Sequence, residues 1–234
     1  MVILMGKKLF ILAILSFIFS TFIFVVGDLQ SLYNDFGRQY FENNGFFETG
    51  SRNLVSGIYL DYRLFDSIFE ASTLLIVVAG VIWISKHDFS EKNVEFMIDR
   101  FKTPDLFVTF SRLIYPVILL FGFYVIINGH LSPGGGFQGG AIVATGILIL
   151  YYIDVDRETN INRIITIEKL VYFLIILLAM VSLFTRGTPF TNFSPISSGL
   201  EIQSIYLILL NLLIGFKVVL GLWTIFTAFL REGH

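Results

Sequence analysis

Ile202-Gln203-Ser204-Ile205-Tyr206-Leu207-Ile208-Leu209-Leu210-Asn211-Leu212-Leu213-Ile214-Gly215-Phe216-Lys217-Val218-Val219-Leu220 opens an apolar run that reaches Leu230 with a single charged side chain, Lys217, near its middle. A bilayer's hydrocarbon core, about 30 Å thick, needs about 20 apolar residues of helix to cross it. This run is long enough to cross. A lysine near the bilayer centre costs about 2.5–3.5 kcal/mol on insertion scales, so either a buried carboxylate partner, on this chain or another, or a lowered pKa is expected.

Five further stretches read the same way: Leu9 to Val26, Leu64 to Ser85, Leu106 to Ile127, Phe137 to Ile153 and Ile167 to Thr185. The expectation is an all-α membrane protein of six spans. Composition agrees: 55% of residues are hydrophobic and 15% charged, with a mean hydropathy of +0.78. A soluble domain carries about 25% charged residues. Lys7 and Lys8 before the first run imitate a secretory signal, but no small-residue cleavage site follows, so the helix reads as retained.

Several function classes fall away. A net charge of −2 offers no basic field for nucleic acid. With no Cys there is no disulfide, thiolate nucleophile or iron–sulfur ligation by this chain. His87, His130 and His234 are scattered, so neither a metal cluster nor a haem pair is expected, and no cofactor.

Orientation follows the positive residues. With six spans, one side holds Lys7, Lys8, Lys86, Lys92, Arg100, Lys102, Arg112, Arg157, Arg163, Lys169 and Arg231. The other holds Arg38, Arg52, Arg63 and Arg186, eleven against four. Both termini are expected in the cytoplasm. Residues 27–63 have no strong period and read as an external loop that orders against a neighbour. In 86–104, Asp88 and Glu91 form a capping-box pair, and Val94, Met97, Ile98 and Phe101 share a face. That segment reads as an interfacial linker helix between a two-helix unit, 1–85, and a four-helix unit, 105–234. No internal repeat supports an inverted-repeat transporter.

The strongest local signal is Gly129-His130-Leu131-Ser132-Pro133-Gly134-Gly135-Gly136-Phe137-Gln138-Gly139-Gly140. Ser132 reads as an N-cap and Pro133 fits a first helical turn. Gly136, Gly140 and Ala144 recur every fourth residue, a smooth stripe for a second helix to press against. An ion path and an anion site at the helix start are the alternatives. A phosphate loop is excluded because no Lys-Ser/Thr pair follows. His130 reads as a hydrogen-bonded interfacial residue or as a proton carrier.

Asp61-Tyr62-Arg63-Leu64-Phe65-Asp66-Ser67-Ile68-Phe69-Glu70 is the second signal. Asp66 and Glu70 share a helix face. Glu70 falls about 9 Å inside the span that starts near Leu64. Ionisable groups at that depth face a bundle interior or a wet cavity. Asp61 and Arg63 are expected to pair near the surface. Lys217 reads either as a proton relay or as half of an interhelical salt bridge. Glu201 reads as a helix-entrance anchor. An intramembrane hydrolase is disfavoured, because Ser132 and His130 share one loop and lack a third partner.

On these residues the chain resembles a known family. Arg112-Leu113-Ile114-Tyr115-Pro116 through Gly140 is similar to the MnhB (MrpB) subunit family of multisubunit sodium/proton antiporters. Its Gly-His-x-x-Pro-Gly-Gly-Gly-Phe-x-Gly-Gly signature is present in full, and the resemblance covers about residues 105–234, including Gly199-Leu200-Glu201. Residues 54–85 resemble a different piece, the Asp-Phe-Arg-x-Phe-Asp-Thr-x-x-Glu segment at the end of the large antiporter subunit and of MbhE-type hydrogenase subunits. The resemblance implies that Asp61, Arg63, Asp66 and Glu70 hold that motif's positions, with Glu70 on a cation path. Asn211 to Lys217 differs from the Asp-Leu-Gly-Val stretch of antiporter members, which points to the branch attached to respiratory or hydrogenase complexes akin to complex I. Implied partners are small sibling subunits, proton channels of the NuoL/N type, Na+, H+ and lipid. The role implied is non-catalytic, in an ion-translocating module; a purely structural scaffold is the alternative.

Overall fold

A computed structural model describes residues 2–29, 35–87, 105–153, 160–192 and 199–232. The chain divides into two compact units, Met1–Phe41 and Glu42–His234. In the first, helix α1 (Val2–Leu29) exposes every side chain from Ile11 to Val26. Helix α2 is Phe36–Thr49, with Phe36 and Tyr40 rings one turn apart. A short α3 (Leu54–Gly57) runs into a π-helical turn, Ile58–Tyr62, and α4 covers Leu64–His87. Then come α5 (Asp105–Ile127), α6 (Gly136–Ile153), α7 (Ile161–Arg186) and α8 (Leu200–Glu232). Among the described residues there is no strand.

Helices α4 to α8 are each long and apolar enough to cross a membrane, and α1 carries a shorter apolar stretch, Ile11–Val26. This is an all-α, multi-pass membrane protein. Helix α8 is its axis: 61% of its most apolar window is buried inside the protein, against 22–33% for the other four spans. Helices α4, α6 and α7 pack directly on α8, and α5 reaches it mainly through α6. Outward, Phe184, Leu106 and Leu120 are among the most exposed side chains, as a lipid-facing surface requires.

Lipid tails are as apolar as leucine, so helices in a bilayer associate by close packing rather than by escape from water. Helix α6 shows how. A Cβ on Gly140 would stand 2.7 Å from the Gly215 carbonyl and 2.9 Å from Val218 Cβ; one on Gly136 would stand 2.6 Å from the Asn211 carbonyl. Ala144 continues that face and is buried. On the opposite side, Gly139 lies against Ile126 and the Gly122 carbonyl of α5. Helix α6 is thus thin on two faces, and neighbouring backbones close on both.

Three expectations change here. Residues 27–63 are no loop: their described part is mostly helical. Ser51 and Asn53, carried past the turn at Gly50 (φ 69°), order against the backbone of this chain's own residues 129–132. Helix α7 starts at Ile161, where Asn160 accepts from the Arg163 N–H, so it begins well before Ile167. Ser132 caps nothing; α6 begins at Gly136, and the Ser132 hydroxyl donates back to the Asn128 carbonyl. Of the expected linker helix over 86–104, Lys86 and His87 end α4 and the rest lies outside the described residues.

Gly140→Ala should lower the thermal midpoint of the purified protein by the equivalent of about 1–3 kcal/mol, the usual cost of overpacking. Gly80→Ala, where a Cβ meets nothing within 4 Å inside α4, should not lower it.

Candidate functional site

Lys217, deep in α8, finds its carboxylate within the chain. Its Nζ lies 3.1 Å from Oε1 of Glu168, and the two side chains are 0% and 2% exposed. Neither atom has a hydrogen-bond partner of good geometry among the described residues. Gly221 makes the room, since a Cβ there would stand 3.0 Å from Glu168 Oε1 and 3.3 Å from Leu74 of α4. The pair therefore sits where α4, α7 and α8 meet. The sequence reading missed Glu168 because it started this span at Ile167, leaving Glu168 at the rim. From Ile161 it lies about 10 Å inside.

A second polar cluster occupies the other end of the α7–α8 seam. Asp61, 5% exposed, accepts from the Asn192 N–H at 2.8 Å, and Asn192 Nδ2 donates to the Gln203 carbonyl at 3.1 Å. The Thr191 N–H donates to Ser182 Oγ, and Phe190, held at φ 63°, sets its ring against Phe65. Asp61 does not pair with Arg63. Residues two apart do not face each other on a helix. Arg63 instead pairs with exposed Asp66 at 2.5 Å, one turn on. Burial raises the Asp61 carboxyl above the usual carboxylate range, opposed by the Asn192 N–H and the Arg186 guanidinium.

Between the two clusters the seam is mostly apolar. Val171, Ile175 and Ala179 of α7 meet Leu207, Leu210 and Ile214 of α8, all buried. Ser182 and Glu168 are separated by about 21 Å of helix. Two buried polar side chains of α8, Tyr206 and Asn211, also fall between the clusters in sequence, and Asn211 Oδ1 is taken by the Gly136 N–H.

The glycine motif forms a third cluster. Ser51 Oγ and the Asn53 N–H both donate to the His130 carbonyl, at 2.9 and 3.0 Å. Asn53 Nδ2 donates to the carbonyls of Gly129 and Ser132 at 2.8 and 2.9 Å. Gly134 (φ 141°) and Gly135 (φ 157°) take conformations that side-chain-bearing residues rarely adopt. A Cβ on Gly135 would also collide with the Tyr59 hydroxyl. The first N–H of α6, on Gly136, donates to Asn211 Oδ1 of α8 at 2.8 Å. Phe137 packs on the main core, while Pro133 is exposed. His130 is 7% exposed, its Nδ1 3.2 Å from the Ile127 carbonyl, and burial holds its imidazole below the ordinary range. The cradle is filled by protein, which fits close packing better than a bound anion.

Glu70 stands apart from all three. Its side chain is exposed on the outer face of α4, in line with Asp66, Thr73 and Gly80, and no described residue forms an ion pair with it. The structure does not bring Glu70 to Lys217. Glu201 is exposed in the first turn of α8, where a carboxylate complements the helix dipole. Among the described residues no three His, Cys, Asp or Glu side chains gather as metal ligands would.

Fold and clusters define a multi-pass helical membrane protein with an ion pair buried in its bundle and, among the described residues, Asp66 and Glu70 exposed on the outer face of α4. The chain belongs to the family described as "Domain related to MnhB subunit of Na+/H+ antiporter", which it matches over residues 106–224. It is 48% identical to a Na(+)/H(+) antiporter subunit of Bacillus subtilis over 50 residues, 21% of this chain and 35% of that one. An uncharacterised protein of Methanocaldococcus jannaschii is 28% identical over 198 residues, 74% of each chain. The match thus spans about a third of the Bacillus subtilis relative's length. Among solved structures, a chain of the membrane-bound sulfane sulfur reductase, an archaeal respiratory membrane complex, superposes with a TM-score of 0.71 at 26% identity, covering 94% of this chain and 97% of that one. A chain of the Mrp complex from Dietzia sp. superposes at 0.58 and 21% identity, covering 88% of this chain and 26% of that one, and shares the fold.

Two outcomes test these clusters. Lys217→Met leaves a buried carboxylate uncompensated and should cost about 3–5 kcal/mol in thermal unfolding, whereas Glu168→Gln with Lys217→Met should cost clearly less. A carboxyl whose folded pKa is raised contributes stability below its unfolded pKa and loses it as pH rises through the folded value. The melting midpoint should therefore decline as pH rises across that interval, and Asp61→Asn should flatten the decline.

Proposed function

We propose that this chain is a non-catalytic membrane subunit of a sodium/proton translocating module of antiporter type, attached to a respiratory or hydrogenase complex related to complex I. Its organisation is read as an MbhE-like unit over 1–85, a linker over 86–104 and the MnhB-like unit over 105–234, with both termini cytoplasmic. Partners are sibling membrane subunits, among them NuoL/N-like proton channels, together with Na+, H+ and lipid.

One observation carries the reading: Glu70 is a carboxylate on the outside of a membrane span, about 9 Å from the helix start, with no ion-pair partner among the described residues. An ionisable group against acyl chains is costly, and the ordinary resolution is a hydrated cavity or a counter-charge. A neighbouring subunit supplies that environment in this reading. Asp66, one turn nearer the helix start, extends the acidic face. The apolar layer inside the α7–α8 seam favours the same assignment, because it leaves the boundary between subunits, rather than the chain's own seam, as the ion's route.

A scaffold role is the second reading, favoured by the close packing of α6 between α5 and α8. The two differ in one variant. In vesicles holding the whole complex, Glu70→Gln should lower sodium-dependent proton movement at least tenfold while all subunits remain assembled. Unchanged transport in that variant leaves only the scaffold.

A further inference from the structure

We propose that Glu168 and Lys217 form an internal proton-binding site, set nearer one end of the bundle and served from that end only, with Glu168 as the group that takes the proton. The inference rests on the transport reading above and adds to it a site and a sidedness.

The geometry supplies the elements. Nζ and Oε1 are 3.1 Å apart, so a small reorientation of either side chain aligns them for transfer, and both side chains are closed off from solvent in this chain. An ammonium carries three donors, and here it faces one carboxylate oxygen. In a medium of low dielectric the charged pair and the neutral pair compete closely, since desolvation disfavours both ions. The internal step moves one proton from –NH3+ to –COO−, giving –NH2 and –COOH, with no change in net charge. Uptake of one proton from outside then returns the amine to –NH3+ beside –COOH, so the pair holds one more proton than the resting ion pair and carries one positive charge.

Sidedness comes from the helices. Glu168 lies about 10 Å from the start of α7 and about 27 Å from its finish. The buried layer of Val171, Ile175, Leu207, Leu210 and Ile214 separates it from the cluster around Asp61. Among the described residues other charges near the pair are few. Exposed Lys169, the next residue on α7, acts on Glu168; Lys217 is acted on by Glu168; and α4 presents Leu74 at this level. Lys169 is one residue beyond Glu168 on α7, on that helix's exposed face.

The test uses the intact complex in vesicles, measuring sodium-dependent proton movement against pH on each side separately. Glu168→Gln with Lys217→Gln removes both charges and spares the fold an orphaned ion. The proposal expects this double variant to assemble and to lose the pH dependence set from the α7-start side, with the opposite side's dependence intact. Glu168→Asp, which keeps a titrating carboxyl one methylene shorter, should retain a profile displaced along the pH axis. An assembled double variant with an unaltered two-sided profile overturns the site. A double variant that fails to assemble shifts the decision to Glu168→Asp, whose unaltered profile overturns it too. Wild-type vesicles without sodium-dependent proton movement would instead defeat the transport reading itself.

Discussion

Helix α8 can occupy the middle of this protein because Glu168 neutralises Lys217. A lone ammonium at that depth would be costly in lipid, and α8 is the helix on which α4, α6 and α7 all rest. The pair binds α7 to α8 where side-chain packing by itself discriminates poorly between helix registers. An ion pair of this kind is weak evidence for stability as such, since well-packed apolar replacements often do as well. What it supplies is position. With α8 set, Gly215 faces α6, and the Asn211 side chain meets the start of that helix.

Packing then follows from small residues rather than from hydrophobic burial. The motif that resembles the antiporter subunits is the part of the chain where backbones come closest. Gly136 and Gly140 meet α8, Gly139 meets α5, and the positive φ angles of Gly134 and Gly135 turn the chain between α5 and α6. The same loop is fastened by Ser51 and Asn53, so a segment distant in sequence closes the entrance to α6. The buried ion pair lies elsewhere, between α7 and α8, and Glu70 lies on the outer face of α4.

Much of this was legible in the sequence, for definite reasons. Apolar length announces a membrane span, and a four-residue recurrence of Gly136, Gly140 and Ala144 announces a close helix crossing. An isolated Lys217 demands a counter-charge. The rest turned on features that hydropathy does not register. The polar first turns of α7, from Ile161 to Thr166, hide the helix start and with it the depth of Glu168. The π-helical turn before α4 separates Asp61 from Arg63, sending one to the Asn192 backbone and the other to Asp66. Ser132 has the chemistry of a cap, but the acceptor that meets α6 is Asn211, remote in sequence and visible only in three dimensions.

That long-range acceptor bears on how the polypeptide is made. Helix α6 leaves the ribosome well ahead of Asn211, the separation between Gly136 and its acceptor being 75 positions. Until the last helix is threaded into the bilayer, the amide that heads α6 has no side chain to receive its hydrogen. Completion of the glycine-rich turn is therefore a late event in biogenesis, and a nascent chain truncated before Asn211 would carry that turn unfinished.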